Sequence, residues 1–168
     1  MKIGIISDTH DRIKEIKKAI RILEKEKIEL LIHCGDIVSP FTLYYFRKLK
    51  CPMKFLFGNN VGDINLHFKF AKEFDLNIEF SNFFFLNINS KKIAVYHGDV
   101  KEITEALIKC GNYNCVFAGH DHIARIEKYE KVLFINPGSF VREYREEMKK
   151  ASLAIYNSKK DKAKLIYF

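Results

Sequence analysis

The chain has 168 residues, 48% of them apolar and 30% charged, with a formal net charge of +8. This is the size and composition of one globular domain with a substantial hydrophobic core, and it excludes a disordered or fibrous chain. No apolar run approaches the roughly 20 residues that a membrane span needs, so no membrane partner is expected.

Residues 2–7 form a short Ile-rich run that leads straight into polar Ser7-Asp8 without a small-residue cleavage pattern. It reads as a first buried strand and not as a signal peptide. Asp11 is positioned to cap a helix whose apolar residues, Ile13, Ile16, Ile20 and Leu23, recur at helical spacing up to about Lys27. A second buried strand follows over 30–34 and ends at Gly35. Ser39-Pro40 opens a second helix, with proline at the first helical position and Phe41, Tyr44, Tyr45 and Leu49 as its apolar stripe. A third strand over 53–57 ends at Gly58. This β-α-β-α-β order predicts a parallel sheet with crossover helices.

The pattern then changes. Residues 60–72 read as a loop passing into a short helix, and 83–89 with 92–96 as a hairpin around a polar turn. A helix is expected over 102–110 and strands over 115–118, 124–129 and 132–135. A closing hairpin pairs 152–157 with 163–167. With no repeat and no linker, residues 1–168 read as one domain, a pair of mixed sheets with helices outside. The four cysteines, Cys34, Cys51, Cys110 and Cys115, form no C-x-x-C pair and sit in apolar company. They are expected to be reduced, buried thiols of a cytoplasmic protein rather than zinc ligands. The positive charge admits a nucleic-acid partner, but the cations are dispersed in singles and pairs, and no aromatic–basic groove can be read from the sequence.

Five polar clusters stand immediately after apolar runs: Asp8-Thr9-His10, Gly35-Asp36, Gly58-Asn59-Asn60, His97-Gly98-Asp99 and Gly119-His120-Asp121-His122. In open α/β sheets ligands bind beyond the carboxyl ends of the strands, so five clusters at five strand ends converge on one site. One intervening residue lets Asp8 and His10 point the same way from an extended turn, and His120 with His122 repeats the device. Each cluster alone has a bland reading. Gly-Asp is a common turn, Asn59 suits a left-handed turn position, and Asp-x-His recurs without a metal. The joint set in this order carries the assignment. Imidazole with carboxylate suits Mn, Fe, Co, Ni or Zn, and seven candidate ligands exceed the complement of one catalytic zinc, which fits two ions. His33, inside a strand, reads as a satisfied core histidine, and His67 as a surface residue.

This ordered set resembles the calcineurin-like metallophosphoesterases. The short length and Asn136-Pro137-Gly138-Ser139 look like their small single-domain phosphodiesterase branch. The resemblance covers residues 1–140 and implies an α/β fold, a four-layer αββα sandwich. It implies that one metal takes Asp8, His10, Asp36 and His122, and the other Asp36, Asn59, His97 and His120, with Asp36 bridging. Two such cations would acidify a shared water to hydroxide near neutral pH and neutralise charge on the phosphoryl oxygens. Asn59 would bind metal through its carbonyl and phosphate through its NH₂, so Asp36 and Asn59 are the expected catalytic residues.

There are departures from the family pattern. Asn60 stands where many relatives carry a histidine that protonates the leaving group. Asp63 could help, but nothing in the sequence aims it. Asp99 replaces a second histidine, and Asp121 replaces the usual threonine and could orient a neighbour. The expected function is hydrolysis of small phosphodiesters at an open, uncapped site. The alternatives are a non-catalytic partner-binding scaffold, as in the retromer subunit that resembles this family, and a nuclease. The sequence leaves a homo-oligomer open.

Overall fold

The structure, a computed structural model, describes residues 1–142 and 150–168. The first half follows the β-α-β order read from the sequence. Strand β1 (Lys2–Ile6), helix α1 (Ile13–Glu26), β2 (Leu30–His33), a 3-10 turn at Pro40–Thr42 leading into α2 (Leu43–Phe46), β3 (Met53–Leu56), α3 (Ile64–Glu73) and β4 (Ile78–Ser81) succeed one another. β1 to β4 are all parallel, in register pairs such as Ile5↔Ile32 and Ile32↔Lys54. The C-terminal hairpin, β10 (Ser152–Asn157) and β11 (Lys162–Tyr167), adds antiparallel to β1 and completes a six-stranded sheet in the order β11-β10-β1-β2-β3-β4.

The second sheet has five strands, in the order β5-β6-β7-β9-β8. These are β5 (Phe83–Ile88), β6 (Lys91–Tyr96), β7 (Cys115–Phe117), β8 (Arg125–Tyr129) and β9 (Val132–Asn136), with α4 (Lys101–Lys109) crossing between β6 and β7. The two sheets pack face to face through Ile3, Ile5, Ile32, Val95, Phe117, Ile135 and Tyr156, all buried. On the outer face of the first sheet, Ile16, Ala19, Ile20 and Leu23 of α1 lie against Ile6, Leu31 and Phe55. Each such Ile or Leu contributes ~1.5–3 kcal/mol of burial. A smaller cluster holds α4 over the second sheet through Leu107 and Ile108. This is the αββα sandwich expected.

Four local expectations are corrected. Asp11 does not cap α1. Its carboxylate accepts from the Ser39 backbone N–H at 2.9 Å, tying the entry of α1 to the turn before α2, and Arg12 takes the cap position without a side-chain cap. The stripe over 41–49 is also different: Leu43, Phe46 and Leu49 are buried, while Phe41 and Tyr44 are 67% and 51% exposed. Residues 43–46, Leu-Tyr-Tyr-Phe, are apolar in succession, so periodicity could not choose the face. His67 is fully buried on α3, between Phe57 and Phe80, with Nδ1 2.8 Å from the Asp63 carbonyl. The helix buries His67 and Ala71, one turn apart, and exposes Phe68 instead. Cys110 is exposed and Cys51 half-buried, so only Cys34 and Cys115 are the buried thiols expected; all four are free.

Candidate metal centre

All of the clusters fall where strands end. Asp8 and His10 follow β1, Asp36 follows β2, Asn59 follows β3, His97 follows β6, and His120 and His122 follow β7. The loops are locked to one another by main-chain bonds that extend the sheet ladders. Asp8 N donates to Gly35 O (2.9 Å), Asp36 N to Phe57 O (2.9 Å), and Gly119 N to His97 O (2.7 Å).

Five of the seven candidate ligands have a left-handed backbone: Asp8 (φ 51°), His10 (37°), Asp36 (61°), His120 (70°) and His122 (65°). The paired side chains therefore converge by alternating left-handed residues and not by the extended turn read from the sequence. Such conformations cost on the order of 1–3 kcal/mol each and persist only where the surroundings over-determine them.

The side chains meet. Oδ2 of Asp36 lies 3.5 Å from His10 Nε2, and Oδ1 of the same carboxylate lies 3.3 Å from His97 Nε2. Asp8 Oδ1 is 3.4 Å from His122 Nε2 and 3.8 Å from His10 Nε2. Asn59 Oδ1 is 2.7 Å from His97 Nε2 and 3.0 Å from His120 Nδ1. Two sets of ligand atoms, Asp8-His10-His122 and Asp8-Asp36-His97, each lie within 4.8 Å of one another. Asp8 and Asp36 are both buried.

These residues fit a cation. Asp8 Oδ1 and His10 Nε2 are buried with no hydrogen-bond partner, the usual mark of a missing ion or water. His97 Nδ1 faces the Cys34 carbonyl at 2.8 Å and so carries the ring proton. That leaves the Nε2 lone pair of the neutral ring facing Asn59 Oδ1 and Asp36 Oδ1, three electron-pair donors that a cation would satisfy. Burial opposes ionisation of Asp8. The imidazoles of His10, His122 and His97 around it outweigh that cost, holding the carboxyl well below the usual carboxylate range.

Glycines make room for this packing. A Cβ at Gly58, where φ is +82°, would sit 2.3 Å from Asp36 Oδ1. One at Gly119 would sit 1.9 Å from Ser7 Oγ and 2.6 Å from Asp8 Oδ2.

A surrounding layer that sequence reading missed holds the ligands in place. Asn60 clamps Asp36, its backbone N–H donating to Oδ1 (2.8 Å) and its side-chain amide to Oδ2 (2.6 Å). Asn136 donates to the Gly119 carbonyl (3.0 Å) and to Asp121 Oδ1 (2.8 Å), while Asp121 Oδ2 pairs with Arg125 (2.7 Å). Ser139 Oγ donates to the Asp8 carbonyl (2.9 Å). The Asn136–Ser139 segment thus braces two ligand loops. His33 is a buried core histidine, as read. Its Nδ1 accepts from Gly35 N (3.2 Å), so its proton is on Nε2, 3.0 Å from Thr9 Oγ1. Burial pushes its pKa down to about 3. Asp63 caps α3 by accepting from Leu66 N (3.0 Å), and Asp99 engages the Tyr96 hydroxyl.

The sequence profile of the calcineurin-like phosphoesterase superfamily domain matches residues 1–161. The chain belongs to this superfamily. It is 38% identical to Phosphodiesterase MJ0936 of Methanocaldococcus jannaschii over 82% of its own length and 83% of that protein. A solved structure described as a novel archaeal phosphodiesterase superposes with a TM-score of 0.91 at 34% identity, covering all of both chains. Vps29 from Entamoeba histolytica, solved with zinc, shares the fold at a TM-score of 0.69 and 16% identity over 99% of each chain. The phosphoesterase superfamily is thus represented here with every candidate ligand position of the sequence motifs gathered at one end of the sandwich.

Proposed function

We propose that this phosphoesterase hydrolyses small phosphodiesters at a dinuclear metal centre within a single domain spanning residues 1–168. Asp8, His10, Asp36 and His122 would hold one divalent transition-metal ion (Mn, Ni, Co, Fe or Zn). Asp36, Asn59, His97 and His120 would hold the other. The observation that carries this reading is the Asp36 carboxylate, whose two oxygens each face a different histidine of the cluster, His10 and His97, as a bridging ligand requires.

When bound, the ions supply Lewis acidity for both the water and the phosphoryl group. The rest falls to the chain. Asn60 fixes the plane of Asp36 with two short hydrogen bonds. Asn59 offers its amide NH₂ to a phosphoryl oxygen once its Oδ1 is engaged. His97 holds its proton on Nδ1, away from the centre, through the Cys34 carbonyl.

Proton donation to the leaving group is the weak point. Asn60 cannot supply a proton, Asp63 is committed to a helix cap, and Asp99 to Tyr96. A leaving group that is stable as an anion needs no such help, whereas an alkoxide does. Aryl diesters should therefore turn over faster than alkyl monoesters with the same metal. Comparative rates on bis-aryl phosphate and an alkyl phosphate test this, and a faster alkyl monoester would overturn the substrate reading. No helix among the described residues is long and apolar enough to cross a membrane. The four free thiols are in keeping with a reducing, cytoplasmic setting.

A further inference from the structure

A second concavity lies away from the metal-ligand cluster. A hollow of about 280 Å³ lies beside His120, but a groove of about 900 Å³ opens on the helical face of the six-stranded sheet. It runs between α1, the turn after α2 and the C-terminal end of α3, reaching Cys51 and Met53 where β3 begins. The candidate ligands follow the opposite, carboxyl ends of β1, β2 and β3, so the groove is a separate site on the same sheet.

Its lining is basic and aromatic. Lys17, Arg21, Arg47, Lys48 and Lys50 contribute five cations against two anions, Glu24 and Asp75. Among the described residues, no carboxylate lies within 4.0 Å of any of the five, although eight other lysines and arginines do have such partners. Lys17 and Arg21 stand one turn apart on α1, a like-charge pair that disfavours the helix. The cations gather around rings. Lys17 Nζ sits 4.8 Å from the centroid of Tyr45, and the Arg47 guanidinium 5.0 Å from Tyr44 and 6.0 Å from Phe74. Tyr44 and Phe74 meet edge to face at 5.7 Å, and Tyr44 is half exposed. No such groove was legible in the sequence. Its cations come from two segments and its rings from two, and only the crossover topology brings them together.

A polyanion would supply the missing negative charge, and planar bases would replace solvent on the rings. This combination of a cationic track with stacking platforms is how single strands are bound without sequence preference. We propose that the groove binds a short stretch of single-stranded nucleic acid, with Arg21, Arg47 and Lys50 on phosphates and Tyr44 as a stacking platform. The net charge of +8 draws such a ligand to the surface.

The test is fluorescence anisotropy of a labelled oligouridylate decamer with the full chain in chelator, so that no hydrolysis occurs. Saturable binding is expected, with log K falling against log salt at a slope of about −2, for roughly three phosphates neutralised on a single strand. Arg21→Glu/Arg47→Glu should weaken binding at least ~10-fold and flatten the slope by about 1.4. Tyr44→Ala should weaken it ~10-fold with the slope kept, because stacking releases no counterions. Both variants change exposed residues, and both should retain wild-type melting and wild-type turnover of a small aryl diester when metal is restored. Lys48→Ala/Lys50→Ala gives a milder second variant should the charge reversal destabilise the chain. The proposal is overturned if the decamer fails to bind at low salt, or if the charge-reversed and lysine variants bind it as well as wild type. It is also overturned if a mononucleotide binds as tightly as the decamer, which would make the ligand a small molecule. If Asp36→Ala abolishes decamer binding, the strand is held at the metal-ligand cluster and the groove assignment is wrong.

Discussion

Gly119→Ala tests how tightly the candidate centre is built. The added Cβ would lie 1.9 Å from Ser7 Oγ and 2.6 Å from Asp8 Oδ2, whereas ordinary contact begins at 3.4 Å. Rotating the Ser7 hydroxyl relieves only part of the clash, because Ser7 Cβ would also lie 2.7 Å from the new methyl. Asp8 has less freedom. It is fully buried, and the same Oδ2 accepts from His120 N at 2.9 Å. Reaching ordinary contact moves the carboxylate oxygen by about 0.8 Å, beyond the ~0.5 Å tolerance of a working site. Displacement of that order costs about 10²-fold in rate, or ~2.7 kcal/mol of transition-state stabilisation. The stability cost should be the ~1–3 kcal/mol of an overpacked position. Gly119 is not left-handed, so the effect is steric alone. Gly111→Ala is the matched control. Nothing lies within 4 Å of its Cβ, but its φ is +72°, so it should lose only ~1–2 kcal/mol of stability and no activity. The assay is kcat/KM on an aryl diester at saturating metal, with metal titration and melting of the metal-free chain. Wild-type kcat/KM and metal affinity in Gly119→Ala would refute the reasoning.

Asp36→Ala should weaken both metal sites and abolish turnover, whereas Asn59→Ala should spare one site and weaken the other; calorimetric metal titration separates them, and equal two-site loss in both variants would remove Asp36 from its bridging role. His33 makes stability depend on acidity. Its folded pKa of about 3 lies below its ordinary 6.5, so the neutral ring stabilises the fold fully above pH 6.5, and this contribution is lost as pH falls toward 3. At pH 5 the loss relative to pH 7 should be about 2 kcal/mol at ~1.36 kcal/mol per unit. The Asp8 contribution begins to fall only below its ordinary 3.8, since its carboxyl is held lower still in the fold. Urea melts of the metal-free chain at pH 7 and 5 should show a smaller pH effect in His33→Asn, and an unchanged effect would assign the acid limb to other groups.

The sequence made the parallel core legible because β1, β2 and β3 are buried on both faces and punctuated by Gly or Asp at their ends. It made the seven candidate ligands legible for the same reason: polar clusters directly after apolar runs are cheap to recognise. It hid what depends on tertiary choice. β4 is a half-buried edge strand of four residues, Ile-Glu-Phe-Ser, too short for its alternation to stand out. His67 is buried because α3 packs it inward with Phe70, Ala71 and Phe74 and leaves Phe68 exposed, a choice between apolar residues that hydropathy alone does not make. Asn60 was read only as a missing acid. Its clamp on Asp36 could not be foreseen, because it depends on a backbone N–H and a side chain reaching the same carboxylate across 24 residues. The bracing by Asn136 and Ser139 likewise spans 15 to 131 residues of chain.

The central claim is a two-ion centre that turns over diesters. Its most direct test is titration of Mn²⁺ into the metal-free chain, with bound metal and aryl-diester turnover measured on the same samples. Turnover should rise only as occupancy climbs from one to two ions per chain, and Asp36→Ala should bind both ions weakly and show no turnover. Full turnover at a single bound ion would contradict it.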